Sequence, residues 1–151
     1  MAGVLLEASG VAVRVTTAGT HVVEHQPVSV RTRRALEVVG LHASVHRSRQ
    51  LTDAHLDAAD VVVAMAGEHV SYVRRRHPAA ADRTATLRYL ARHLHAGEAS
   101  LALRVSELGL AGLDPAGQGD VTDPAGGDDQ DYEACARELS VLIGELVPRL
   151  A

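Results

Sequence analysis

The sequence predicts an α/β domain with a mainly parallel sheet, and three observations carry that prediction. Val11, Val13 and Val15 alternate with Ala12, Arg14 and Thr16, the period of two that marks a strand with one face buried. Val61-Val62-Val63-Ala64-Met65 is apolar without a break, as in a parallel strand covered on both faces, so it is expected at the centre of the sheet. Apolar residues elsewhere return at helical steps, most clearly at Tyr132, Cys135, Ala136, Leu139, Ile143, Leu146 and Leu150, which describes a long final helix with one buried stripe. Strands alternating with helices on short links give a layered α/β architecture. No repeat or linker divides residues 1–151, so one domain is expected.

In order along the chain, Val4, Leu5, Leu6 and Ala8 suit a short opening helix ended by Gly10. The alternating valines follow as an edge strand that runs into Thr17-Ala18-Gly19-Thr20. After Pro27, Val28, Ala35, Leu36 and Val39 fall on one face of a surface helix stopped by Gly40. Leu41 to Gln50 is a polar loop carrying His46, Arg47 and Arg49, and Thr52 is placed to cap a short turn over Asp53 to Asp57. A helix over Glu68 to Arg76 closes at His77-Pro78, a short strand covers Thr84 to Leu87, and a helix runs from Arg88 to Leu94. Residues 95–119 are Gly-rich and weakly periodic and receive no assignment, although Leu101, Leu103, Val105 and Leu108 can cover part of the core. Gly144 weakens the final helix by about 1 kcal/mol relative to Ala.

Composition narrows the function classes. The apolar fraction is 46%, with three Tyr and neither Phe nor Trp, so the core rests on Val, Leu and Ala. A formal charge of −4 gives no reason to expect nucleic acid. The runs Arg31, Arg33, Arg34 and Arg74, Arg75, Arg76 read as solvated helix faces. Cys135 is the single cysteine, which excludes an internal disulfide and points to a reducing, cytoplasmic setting. No run reaches the length of a membrane span, and the first residues lack a secretory pattern, so no membrane partner is expected. Nine His invite a metal reading, yet His42 with His46, and His93 with His95, lack a third ligand at recognisable spacing; no metal and no cofactor are expected.

The stretch Asp120 to Glu133 carries the functional signal. Asp123 stands before Pro124, which pushes its backbone towards an extended, stiffened loop. Taken with Val15-Thr16-Thr17-Ala18-Gly19-Thr20, His46-Arg47-Ser48-Arg49-Gln50-Leu51, Ala59-Asp60-Val61-Val62-Val63-Ala64-Met65, Asp123-Pro124-Ala125-Gly126 and Asp131-Tyr132-Glu133, the chain resembles the low-molecular-weight protein-tyrosine phosphatases, a family that includes arsenate reductases. The resemblance implies three layers, α/β/α, around a four-stranded parallel sheet of order 2-1-3-4. Its first strand, and the loop Cys-x-x-x-x-x-Arg-Ser-Pro that follows it, have no counterpart here, and Met1-Ala2-Gly3 falls where the family's next helix begins.

In the family, a Cys thiolate attacks phosphorus, loop N–H groups and an Arg hold the phosphoryl oxygens, and an Asp protonates the leaving atom. Only the last role has a match, Asp123. Cys135 lies on an apolar helical stripe and reads as an inert, buried thiol. Asp120, Asp128, Asp129 and Asp131 read as loop acids or helix N-terminal charges. Thr17 takes the place of a Ser that supports the phosphate loop, and His46, Arg47 and Arg49 are candidates for the rim. The aromatic residue that usually follows Asp-Pro in members acting on phosphotyrosine is replaced by Ala125, and a single Cys cannot run the thiol relay of arsenate reduction.

Removing a central strand opens a gap of roughly 10 Å between its neighbours, twice the usual spacing of about 4.8 Å. Either the neighbours pair directly, another chain supplies the strand, or the sequence is an N-terminally incomplete reading of a longer protein; the third is the expectation. The chain as given is therefore expected to be inactive. A form carrying the loop would hydrolyse a phosphorylated protein or a small aryl phosphate, with Asp123 as general acid. The alternative is a non-catalytic pseudophosphatase, a binding or regulatory module that binds a partner or self-associates through unpaired strand edges.

Overall fold

The computed structural model describes residues 1–42 and 46–151; residues 43–45 of the expected polar loop lie outside the described residues. The helices are α1 (Ala2–Ala8), α2 (Val30–Val38), α3 (Asp53–Asp57), α4 (Gly67–Arg76), α5 (Leu87–His93), α6 (Leu101–Ser106) and α7 (Asp129–Leu150). Two strands, β1 (Val62–Ala64) and β2 (Thr84–Thr86), pair in parallel, with Val63 opposite Ala85. Between them α4 and the 3₁₀ turn Pro78–Arg83 form the crossover that a parallel pair requires.

α7 is the spine of the molecule. Its residues Cys135, Ala136, Leu139, Leu142, Ile143, Leu146 and Leu150 are buried, and α1, α2 and α5 all pack on it. Leu87, Leu90, Leu94, Val105 and Leu110 complete this main core. A second, smaller core joins Leu56, Val73 and Ala80. Val61, Val63 and Met65 pack against the first core and Val62 against the second. Successive side chains of β1 thus serve opposite faces, and each face carries helices, which is the layered α/β arrangement.

The first expected strand requires correction. Residues 11–18 do alternate between half-buried and exposed positions, and Val11 and Val13 pack against the main core. Yet among the described residues no ladder forms: the backbone bond within 11–16 is the local one from Val13 N–H to Val11 C=O, 2.8 Å. β1, expected at the centre, is paired only with β2 among the described residues and is an edge. Alternation records that one face is buried. A strand also needs a neighbouring backbone at about 4.8 Å, and these residues supply none between 11–16 and β1.

Two further segments refine the reading. The chain after residue 18 is tied to the loop before α3, through Gly19 N–H to Arg49 C=O (3.0 Å), Leu51 N–H to Gly19 C=O (2.9 Å) and Gln50 Nε2 to Thr20 C=O (2.8 Å). The unassigned stretch contains α6, which starts at Ser100, whose Oγ accepts from Leu103 N–H. Arg104 on α6 is buried and donates to the carbonyls of Ala99, His95, Arg149 and Ala151, so one guanidinium closes the end of α7.

Candidate active site

The acid loop leaves β2's neighbourhood through Gln118, which is buried. Its side-chain oxygen accepts from Thr86 N–H at 2.9 Å and its carbonyl from Thr86 Oγ1 at 2.9 Å. Gly119 follows at φ +80, a left-handed backbone that suits glycine. Asp120 Oδ1 then accepts from Gly67 N–H at 2.8 Å, Val121 N–H donates to Met65 C=O at 2.8 Å, and Arg88 Nε donates to Asp120 C=O at 2.7 Å. The loop is therefore fastened beyond the C-terminal ends of both strands, where ligands of open α/β sheets bind. Asp120 is more than the loop acid expected of it, since it caps the first turn of α4.

Asp123 sits exposed at the tip. Its Oδ1 accepts from Ala125 N–H at 2.9 Å, an Asx-type turn that holds the carboxylate in place, and Oδ2 has no hydrogen-bond partner among the described residues. Gly126 at φ +85 and a bond from Gly127 N–H to Pro124 C=O at 3.0 Å close the turn. α7 begins directly afterwards. Asp128 caps it by accepting from Gln130 and Asp131 N–H, Asp131 returns the bond by accepting from Asp128 N–H, and Asp129 pairs with Arg31 and Arg34 of α2. These three acids stand at the helix start, where its dipole favours negative charge.

Between loop and helix lies a cleft of about 350 Å³, lined among others by Thr122, Asp123, Ala125, Asp131, Cys135 and Glu138. Cys135 is buried in its wall. Burial first, and then the carboxylates of Glu138 and Asp123, raise its thiol pKa, while the Met1 α-ammonium pulls the other way. Such a thiol is neutral at pH 7 and a poor nucleophile. Glu138 pairs with Arg88 at 2.6 Å. Among the described residues no group of three His, Cys, Asp or Glu converges in a way that would hold a metal.

The other candidates fall outside the cleft. Thr17 lies beneath the start of α1, so close that a Cβ at Gly3 would collide with its methyl group. Arg49 holds Gly19 through its carbonyl, and Arg47 Nη1 donates to His46 C=O. Burial lowers the His46 pKa, helped by the Met1 α-ammonium and Arg49 and opposed by Glu7. Arg88 and Glu138 are the residues that sequence reasoning missed; 50 positions apart, they carry no local motif.

The first two thirds of the chain, residues 1–102, match the family model described as low molecular weight phosphotyrosine protein phosphatase. A protein-arginine-phosphatase from Geobacillus stearothermophilus is 33% identical over an alignment of 151 positions that covers 99% of this chain and 86% of that protein. Among solved structures, the YwlE arginine phosphatase from Geobacillus stearothermophilus superimposes with a TM-score of 0.78 at 32% identity, covering 99% of this chain and 82% of that one. A low molecular weight protein tyrosine phosphatase from T. tengcongensis gives 0.74 at 28% identity, covering 97% and 86%.

Proposed function

This chain belongs to the low molecular weight phosphotyrosine protein phosphatase family, and from that premise we propose that it provides the acid half of a site that hydrolyses phosphorylated protein side chains through a cysteinyl-phosphate, with phosphoarginine as the substrate class. The observation that carries the proposal is Asp123, held by its own turn at the mouth of a cleft, with Oδ2 unpartnered among the described residues. In the first step a thiolate attacks phosphorus, the bond from phosphorus to the leaving atom breaks, and Asp123 gives that atom its proton. In the second step Asp123 takes a proton from water as the water oxygen attacks phosphorus, which releases phosphate and restores the thiolate.

Two features favour arginine over tyrosine as the side chain. Asp123 and Asp131 around the cleft suit a cationic guanidinium. Ala125 offers no flat wall for a phenyl ring. The name of the relative at 33% identity points the same way.

None of the 151 residues fills the nucleophile's place. Cys135 is buried on α7 with a raised pKa, and Val141, not Arg, follows it at the Cys-x5-Arg spacing. The chain as given is therefore inactive, and the complete site needs a Cys-x5-Arg loop from residues outside this sequence. Reading the codons upstream of Met1 tests this; an in-frame Cys-x-x-x-x-x-Arg-Ser-Pro is expected. In the form bearing it, Asp123→Asn lowers turnover of a phosphoarginine peptide by about 10²- to 10⁴-fold. Unchanged turnover would remove Asp123 from the mechanism. If no such loop exists, the reading becomes a non-catalytic module that self-associates through the edge of β1 that has no partner among the described residues, to be checked by sedimentation of the chain as given.

A further inference from the structure

Building on the reading of Asp123 as the acid, we propose that Arg88 is a positioning residue of this site, tying the acid loop to α7 and neutralising Glu138 in the wall of the cleft. Arg88 occupies the first turn of α5, directly after β2. It reaches in two directions: Nε to Asp120 C=O at 2.7 Å and Nη2 to Glu138 Oε1 at 2.6 Å. Its stem crosses the loop's entry, since a Cβ at Gly119 would stand 3.2 Å from Arg88 Cδ. The pair is half-buried, with side-chain exposures of 31% and 25%, so solvent screens it less than a surface pair.

The bonds at Met65 and Gly67 fix the loop against β1 and α4. Arg88 adds a bridge from Asp120 in the loop's first half to Glu138 in the third turn of α7. The electrostatic consequence is as direct. A phosphoryl group carries negative charge into a cleft already lined by Asp123 and Asp131. With Glu138 neutralised by a fixed guanidinium, one source of repulsion is removed.

Cys135 reports on this arrangement, because it is the single cysteine and lines the same cleft. The charged groups that act on it are Glu138 from its own helix, Asp123 from the acid loop and the Met1 α-ammonium beside α1. The experiment uses the chain as given and follows two quantities: the pH dependence of Cys135 alkylation by iodoacetamide, and amide hydrogen exchange at Val121. Arg88→Met keeps the packed stem and removes both bonds. It should move the alkylation midpoint to higher pH and speed exchange at Val121 by about tenfold, the worth of roughly one hydrogen bond.

Arg88→Lys, which keeps the charge, should return the midpoint towards that of the parent protein. Glu138→Gln should lower the midpoint and leave Val121 unchanged, and this variant keeps the proposal testable if Arg88→Met fails to fold. An unmoved midpoint in both Arg88→Met and Glu138→Gln, or no rescue by Lys, overturns the proposal. Neither readout needs turnover. Should the phosphatase reading fail, these shifts would still be seen while no phosphorylated substrate is hydrolysed.

Discussion

The acid loop and the valine segment before Thr17 both lie outside the helices and strands, yet one is fastened and the other is not. Residues 118–128 receive or donate bonds to β2, α4 and α5 and to the turn that starts α7. Residues 11–16 place alternate side chains inward and, among the described residues, make no bond to a neighbouring strand. Side-chain pattern decides which face turns to the core. Hydrogen bonding decides whether that face becomes a strand.

Substitution should separate the two regions. The largest difference is expected between Leu146→Ala, in the fully buried stripe of α7, and Val13→Ala, in the half-buried segment. Leu146→Ala should cost about 2–5 kcal/mol and Val13→Ala roughly 1 kcal/mol or less, measured by urea denaturation. Equal losses would mean that the valine segment is as firmly held as the helix. Gln118→Ala is next: it leaves the buried Thr86 N–H without its acceptor and should cost about 1–3 kcal/mol. A neutral outcome would break the claim that the loop's entry is fastened.

The smallest effect is pH-dependent and sharpens the electrostatics of the fastened side. Because the Cys135 thiol pKa is raised in the fold, its contribution to stability is fully present below the ordinary thiol pKa. It is lost as pH rises through the folded value. Stability measured from about pH 7 to about pH 10 should fall through this window, and Cys135→Ala should flatten that part of the decline.

How much of this the sequence disclosed follows from the same contrast. α7, β1, β2, α4 and α5 were legible because their apolar periods reflect burial within a few turns of chain. The Asp123-Pro124-Ala125-Gly126 turn was legible from local chemistry, and Asp123 does face a cleft. α6 was not, since six residues in a Gly- and Ala-rich stretch show barely two turns of any period. The strand over residues 11–16 was misread because its alternation is real, while no backbone among the described residues pairs with it. Arg88 and Glu138 meet only after the chain has folded, and no spacing in the sequence encodes that meeting.

The central position of α7 has a consequence for the order of assembly. α1, α2 and α5 bury their apolar faces against a helix formed by residues 129–150. A ribosome adding about 5–20 residues per second exposes the first two of these helices for several seconds before their partner exists. Most of the tertiary contacts of α1 and α2 therefore have high sequence separation and form late, so folding is expected to be slow for a helix-rich domain of this length.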